Sequence, residues 1–265
     1  MSADPAEIAR LSDELATAVT RARPVLQMVA DDAFALAQQV ARNSDDIQNL
    51  QRQASRVQEF RDVPPATILR GAMLDADEIS SRLQRAAGQV DEIRGDLGRA
   101  ERDLRHGSKV YAELVDTLGP EMPEATKDLG QRLQALSRAV ETASSGLSAA
   151  DRSIADVRQS VQQLTTTDLQ ADRFGTEQKI RTAHAGARDG AEGFEQRMKG
   201  VTAGLAQAEP DLQQATQQTQ ALAQAAQAAL NPTPKAKQVK PGSASEQSGL
   251  AARLNGQSRS TDRDR

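Results

Sequence analysis

The sequence predicts an all-α fold, an elongated antiparallel helical bundle or coiled coil of about four long helices with a disordered C-terminal tail. Apolar residues recur at intervals of three and four from Ile8 to about Leu230, which is the spacing of a buried helix stripe. The chain is only 2% aromatic and has no Trp or Cys, so Ala and Leu must build the core. Since an alanine-rich stripe buries little area per residue, several helices must share the burial or copies of the chain must associate.

The first helix is predicted over residues 5–62, where the stripe is less regular than in the middle of the chain. Pro24 predicts a kink or a short leading helix, and Asn43 marks a second interruption. The helix ends at Val63-Pro64-Pro65, because proline cannot donate to the helical hydrogen bonds. Its predicted buried residues are Ile8, Leu11, Leu15, Val19, Leu26, Val29, Ala33, Leu36, Val40, Ile47, Leu50, Ala54 and Val57.

The second and third helices, predicted over 66–118 and 123–166, carry the most regular stripes and show no alternation of period two. Gly119-Pro120 and Pro123 separate them. One gap in the second stripe falls at Gly107 and Ser108. The predicted buried residues are Leu69, Ala72, Ala76, Ile79, Leu83, Ala86, Val90, Ile93, Leu97, Ala100, Leu104, Tyr111, Leu114 and Leu118, then Leu129, Leu133, Leu136, Val140, Ala143, Leu147, Ala150, Ile154, Val157, Val161 and Leu164.

The last helix is predicted over 176–230, after a turn or kink within 165–176 where the apolar register slips and Thr and Gly residues offer cap chemistry. The similar predicted lengths favour antiparallel neighbours in an up-down-up-down bundle or two hairpins side by side. The alternative is a continuous last helix of over 100 residues, which would form a rod whose exposed stripe requires a partner.

Five glycines share one side of the last helix, next to its apolar stripe: Gly186, Gly190, Gly193, Gly200 and Gly204. Each glycine within a helix costs about 1 kcal/mol relative to alanine. Small residues on one side of a helix allow two backbones to approach closely. The row is therefore a candidate helix-packing or interaction face, against a bundle mate or a second subunit; the alternative is a loose, mobile helix.

Residues 231–265 form the second predicted region, a basic tail rich in Pro, Gly and Ser, which is typical of disorder. Seven basic and three acidic residues give this tail a charge of +4, and since the whole chain carries −4, residues 1–230 carry −8. Three interpretations stay open. The basic tail folds back on the acidic body, it makes weak contact with an acidic surface such as nucleic acid or anionic lipid, or it is a solvated terminus without a partner.

The sequence predicts no catalytic, cofactor-binding or metal-binding residues. Its two histidines, His106 and His184, lack the paired Glu-x-x-His motifs of a di-iron bundle, and neither a nucleophile elbow nor a phosphate loop occurs. Most of the carboxylates lie within a turn of an arginine, as on a solvated helix surface. An acidic body with few aromatic residues also disfavours nucleic-acid binding through the helices.

These patterns favour a non-enzymatic helical scaffold or adaptor that self-associates or binds another protein through coiled-coil contacts. The alternative is an exported bacterial helical-bundle protein, a secretion substrate or toxin-like component. Without an apolar run of about 18 residues or a leader pattern, no membrane span and a cytoplasmic location are expected. The excess of Arg over Lys and the many alanines are typical of a GC-rich bacterial genome.

Overall fold

The computed structural model describes residues 4–42, 44–60, 62–119, 124–165 and 173–230. Over these residues the chain is almost entirely helical and contains no strand, which confirms the all-α prediction. The helices are α1 (Pro5–Arg42), α2 (Ser44–Glu59), α3 (Pro65–Leu118), α4 (Glu124–Thr165) and α5 (Arg173–Leu230).

The four long helices α1, α3, α4 and α5 form an up-down-up-down bundle. Both α1 and α4 pack against α3 and α5, so α1 lies diagonally opposite α4. The shorter α2 packs against the same two helices, α3 and α5, and so continues the corner of the bundle that α1 occupies. Helix α3 runs antiparallel to α1 and α2. His106 in the second half of α3 contacts Glu14 near the start of α1, and Arg82 in the first half of α3 contacts Asp46 in α2.

The last two helices are separate and antiparallel, so the alternative of one continuous helix is wrong. Arg132 near the start of α4 pairs with Asp211 in the second half of α5, with 2.6 Å between Nη1 and Oδ1. Arg197, further back along α5, donates to the hydroxyl of Ser153 at 3.2 Å. This hairpin encloses the α4 stripe instead of leaving it open for a partner.

The predicted stripes meet in one continuous core. From Ala76 to Leu114 in α3 and from Leu129 to Val161 in α4, the predicted stripe residues are buried except for Tyr111. The side chains of four other predicted core residues lie outside the described part of the structure: Ala54, Leu69, Ala72 and Leu164. Most of the large core side chains are leucines, joined by Phe194, and alanines fill the positions between them. The fully buried large residues are Phe194, Leu11, Leu15, Leu50, Ile79, Leu83, Leu97, Leu104, Leu114, Leu129, Leu133 and Leu136.

The first predicted helix differs from the structure, which divides it into α1 and α2; Asn43 between them lies outside the described residues. The short leading helix expected before Pro24 is wrong, because α1 continues through this proline. Proline inside a helix costs about 3 kcal/mol. The stripe residues Ala22 and Leu26 on either side are buried against neighbouring helices, and their burial offsets this cost.

The expected gap in the α3 stripe is also wrong, since Gly107 is itself buried in the seam. A Cβ atom placed on Gly107 would lie 3.5 Å from both Ala18 and Leu15, which is ordinary van der Waals contact, so this position faces α1 within the core. Just beyond it Val110 enters the core, whereas the predicted core residue Tyr111 is only partly buried.

The predicted basic tail, residues 231–265, lies outside the described residues. In the part of the chain that the structure describes, no helix is both long and apolar enough to cross a bilayer.

Candidate functional site

The first three glycines of the predicted face lie against α4. A Cβ atom on Gly190 would be 2.5 Å from Cγ2 of Val157 and 3.2 Å from the carbonyl oxygen of Ser153. One on Gly186 would overlap the side chain of Ser160, and one on Gly193 would be 3.5 Å from the Ser153 hydroxyl oxygen. At Gly186 and Gly190, therefore, the absence of a side chain allows α4 and α5 to approach closely.

The last two glycines have different surroundings. A Cβ atom on Gly200 or Gly204 would meet nothing within 4 Å. These two positions do not take part in the close contact with α4, so the five glycines do not form one contact face within the bundle. On α3, Gly88 and Gly95 are likewise open.

A glycine of α4 that the sequence analysis did not single out belongs to the same contact. A Cβ atom on Gly146 would lie 2.7 Å from Cγ2 of Val201 on α5. Spacing could not identify it, because Gly146 stands next to the stripe residue Leu147 and forms no row with other glycines. The two helices thus contribute glycines on both sides of their interface.

Ion pairs join each pair of neighbouring long helices at the margin of the core. They connect α3 with α4 (Asp151 and Arg94), α4 with α5 (Arg132 and Asp211) and α1 with α5 (Arg23 and Glu209), and between α1 and α3 the corresponding contact is that of Glu14 with the imidazole of His106. The side chains in these pairs are partly exposed, so each contributes little stability. Misalignment of two helices would separate the charges, and the pairs therefore help to specify the helix register.

The two acids in the second half of α5 are directed to the sides of this helix. Glu209 accepts from Arg23 at 3.4 Å and from Gln27 at 3.0 Å, both on α1. Asp211 accepts from Arg132 of α4. No other charged residue occurs between Gly200 and Leu230. Both charges are thus engaged with adjacent helices.

Between these flanks, the outward side of α5 is exposed and carries no charge. We call it the neutral face of α5, and its length over residues 200–224 is about 36 Å at 1.5 Å per residue. By contrast, the exposed positions of α3 carry many Arg, Asp and Glu residues. The neutral face consists of Gly200, Ala203, Ala206, Gln207, Pro210, Gln213, Gln214, Gln217, Gln220, Ala221 and Gln224.

The two histidines lie far apart, on α3 and on the first half of α5. His106 is exposed, with its Nε2 atom 3.0 Å from Oε1 of Glu14. His184 is partly buried and lies beside α2, and its burial together with the charge of Arg188 lowers its pKa. Among the described residues, no group of three or more His, Asp or Glu side chains is arranged to hold a metal ion.

A shallow apolar groove of about 410 Å³ opens between α1, α4 and α5 near the middle of the bundle. Its walls are mainly aliphatic, and alanines line it where larger side chains would have filled the space. Its polar margin includes Glu209, which is already engaged by Arg23 and Gln27. The apolar lining residues are Leu26, Ala30, Leu136, Ala139, Val140, Leu205, Ala206, Ala208 and Leu212.

Comparison of the chain with protein-family models, curated proteins and solved structures found no match in any of the three.

Proposed function

We propose that this protein is a non-enzymatic helical scaffold or adaptor, and that the neutral face of α5 is the surface through which it contacts another helical protein or a second copy of itself. The observation that carries the proposal is the absence of charge along this exposed face. Charged residues keep helix surfaces solvated, and they are depleted at the centres of protein interfaces.

The internal packing supports the choice of this face over the apolar stripes. Stripe residues such as Val90, Leu136 and Val157 are at most 1% exposed, so they are not available to a partner while the bundle is closed. A coiled-coil contact must therefore use an outer surface. The α5 face offers alanine and glycine for close approach and glutamine amides that both donate and accept hydrogen bonds.

Three added charges test this proposal. Ala206, Gln213 and Gln220 follow one another at intervals of seven, are all exposed, and so lie on one side of α5. We expect the triple substitution Ala206→Glu, Gln213→Glu and Gln220→Glu to abolish association while leaving the helix content unchanged. The matched control places the same three charges on α3, at Gln84, Gln89 and Ala112, which are also exposed.

Association is measured in two ways. Light scattering on the full chain detects a second copy, and a photoreactive amino acid at Gln217 crosslinks any partner in cells, with Gln89 on α3 as the matched position. The proposal requires a crosslinked product at Gln217 that disappears in the α5 triple variant and persists in the α3 control. A monomer without a crosslinked product at Gln217, or a product that resists the α5 charges, would overturn it.

A further inference from the structure

A polar groove lies between α2 and the first half of α5, away from the neutral face. Two adjoining cavities form it, of about 500 and 290 Å³, and they share Gln51, Ser55 and His184. A cavity of this size falls in the range of small-molecule sites, but its walls are far more polar than usual. The described lining residues are Ile47, Gln48, Gln51, Arg52, Ser55, Arg181, His184, Arg188 and Glu192.

Positive charge prevails in this groove, because three arginines and one glutamate line it. Arg188 donates from Nε to Glu192 at 2.8 Å, and Arg181 pairs with Glu177 at 2.5 Å. Arg52 forms no ion pair with any acid in the described part of the chain, and it reaches the groove from the opposite helix. One guanidinium is therefore available on the α2 side.

The pair between Arg188 and Glu192 presents only a weak obstacle to an anion. Both side chains are more than half exposed, at 63% and 55%, and they lie four residues apart on one helix. Exposed pairs of this kind contribute little to stability. A divalent anion between α2 and α5 can replace Glu192 as the partner of Arg188.

We propose that this groove binds the phosphate group of a small organic molecule between Arg52 and Arg188. Two guanidinium groups and the side-chain amides of Gln48 and Gln51 supply more donors than a carboxylate accepts, and they suit the several oxygens of a phosphate. The remaining volume accommodates the organic part. This site shares no residue with the neutral face, so the failure of one proposal would leave the other unaffected.

His184 provides the readout, because it lines both cavities and the chain has only one other histidine. The charges on α5 around His184 are Arg181 with its partner Glu177, Arg188, Asp189 and Glu192, and the charged residue of α2 that lines the groove is Arg52. A bound dianion stabilises protonated His184 and raises its pKa. His106, on α3 beside Glu14, is the internal reference in the same NMR spectrum.

The experiment follows the pKa of both histidines in the full-length protein by NMR, with glucose 6-phosphate, inorganic phosphate, glucose and matched sodium chloride as additives. We expect glucose 6-phosphate to raise the pKa of His184 alone, at a concentration at least about fivefold lower than inorganic phosphate requires. Glucose and sodium chloride should leave His184 unchanged.

Substitution locates the site. Arg52→Gln should weaken the response to glucose 6-phosphate at least about fivefold, while Arg85→Gln on the exposed side of α3 should not alter it. The proposal is overturned if phosphate compounds shift His184 no more than sodium chloride does, or if the two arginine variants respond alike. Equal potency of inorganic phosphate and glucose 6-phosphate would also contradict it, since the organic part would then make no contact.

Discussion

The hydroxyl of Tyr111 donates a hydrogen bond of 2.8 Å to the main-chain carbonyl of Thr126, joining the end of α3 to the start of α4. Gly130, one turn further along α4, makes room for this ring. A Cβ atom on Gly130 would lie 2.6 Å from the hydroxyl oxygen and 2.7 Å from Cε1. Burial also raises the pKa of Tyr111. The chain's one tyrosine thus fixes the contact between α3 and α4 at this end of the bundle.

Gly130→Ala should destabilise the bundle by about 1–3 kcal/mol in urea unfolding, because the new methyl group displaces the Tyr111 ring. Gly95→Ala on α3 is the matched control: no atom lies within 4 Å of its added Cβ, and it should stabilise by about 0.5–1 kcal/mol. In the Tyr111→Ala background, the penalty of Gly130→Ala should vanish. A persistent penalty there would show that the ring does not cause it.

Two glycines of the same predicted row should respond in opposite directions. Gly190→Ala should lower the free energy of unfolding by about 1–3 kcal/mol, because its Cβ atom meets Val157 and the main chain of Ser153. Gly200→Ala should raise it by about 0.5–1 kcal/mol, since the site is open and alanine favours the helix. Thermal and urea unfolding measure both variants. If Gly190→Ala and Gly200→Ala changed the free energy of unfolding equally and in the same direction, the two glycines would not differ in packing as described.

Two phenylalanines provide a matched pair for the core. Phe194 on α5 is 0% exposed and Phe34 on α1 is 53% exposed. Phe194→Ala should cost about 3–5 kcal/mol by leaving a cavity, whereas Phe34→Ala should change stability by less than about 0.5 kcal/mol. Urea unfolding monitored by circular dichroism gives both values. A small cost for Phe194→Ala would mean that the surrounding helices collapse to fill the space.

His184 should make stability depend on pH. Its folded pKa lies below the ordinary value of 6.5, because burial and then the charge of Arg188 disfavour the protonated ring. The unfolded chain therefore binds the proton more readily, so the contribution of His184 is present above pH 6.5 and is lost as the pH falls through its folded pKa.

His184→Gln removes this contribution. Urea unfolding from pH 7.5 down to pH 5 should show a smaller loss of stability in the variant than in the wild-type protein. His106 is present in both proteins, so it cancels in the comparison. Identical pH profiles would exclude a perturbed His184.

Much of the fold follows from the sequence because a helix of period 3.6 places its apolar residues on one side wherever it packs. The structure begins and ends α3 and α5 at residues 65–118 and 173–230, against predicted limits of 66–118 and 176–230. Two of the predictions that failed concern single residues. Gly107 is buried although it has no side chain, and α1 continues through Pro24, because neighbouring helices decide both outcomes.

The candidate surfaces were less predictable than the stripes. Sequence spacing identified the glycine row, but only packing separates Gly190, which meets Val157, from Gly200, which meets nothing. Residues of the α2–α5 groove are more than 120 positions apart in the sequence, as with Arg52 and Arg188. No local pattern connects them. The spacing of apolar residues also does not predict the neutral face. That face is free of charge because Glu209 and Asp211 pair with residues of α1 and α4.

The sequence by itself determined that this chain forms long helices with one buried side each, since that requires only local periodicity and alanine and leucine to fill the stripe. Tertiary structure decided which helices become neighbours, which glycines are covered, and that α4 and α5 fold back on each other. These outcomes depend on contacts between distant residues, such as Arg132 with Asp211 and Tyr111 with Thr126. Periodicity specifies the side of a helix that is buried, but only packing selects its partner.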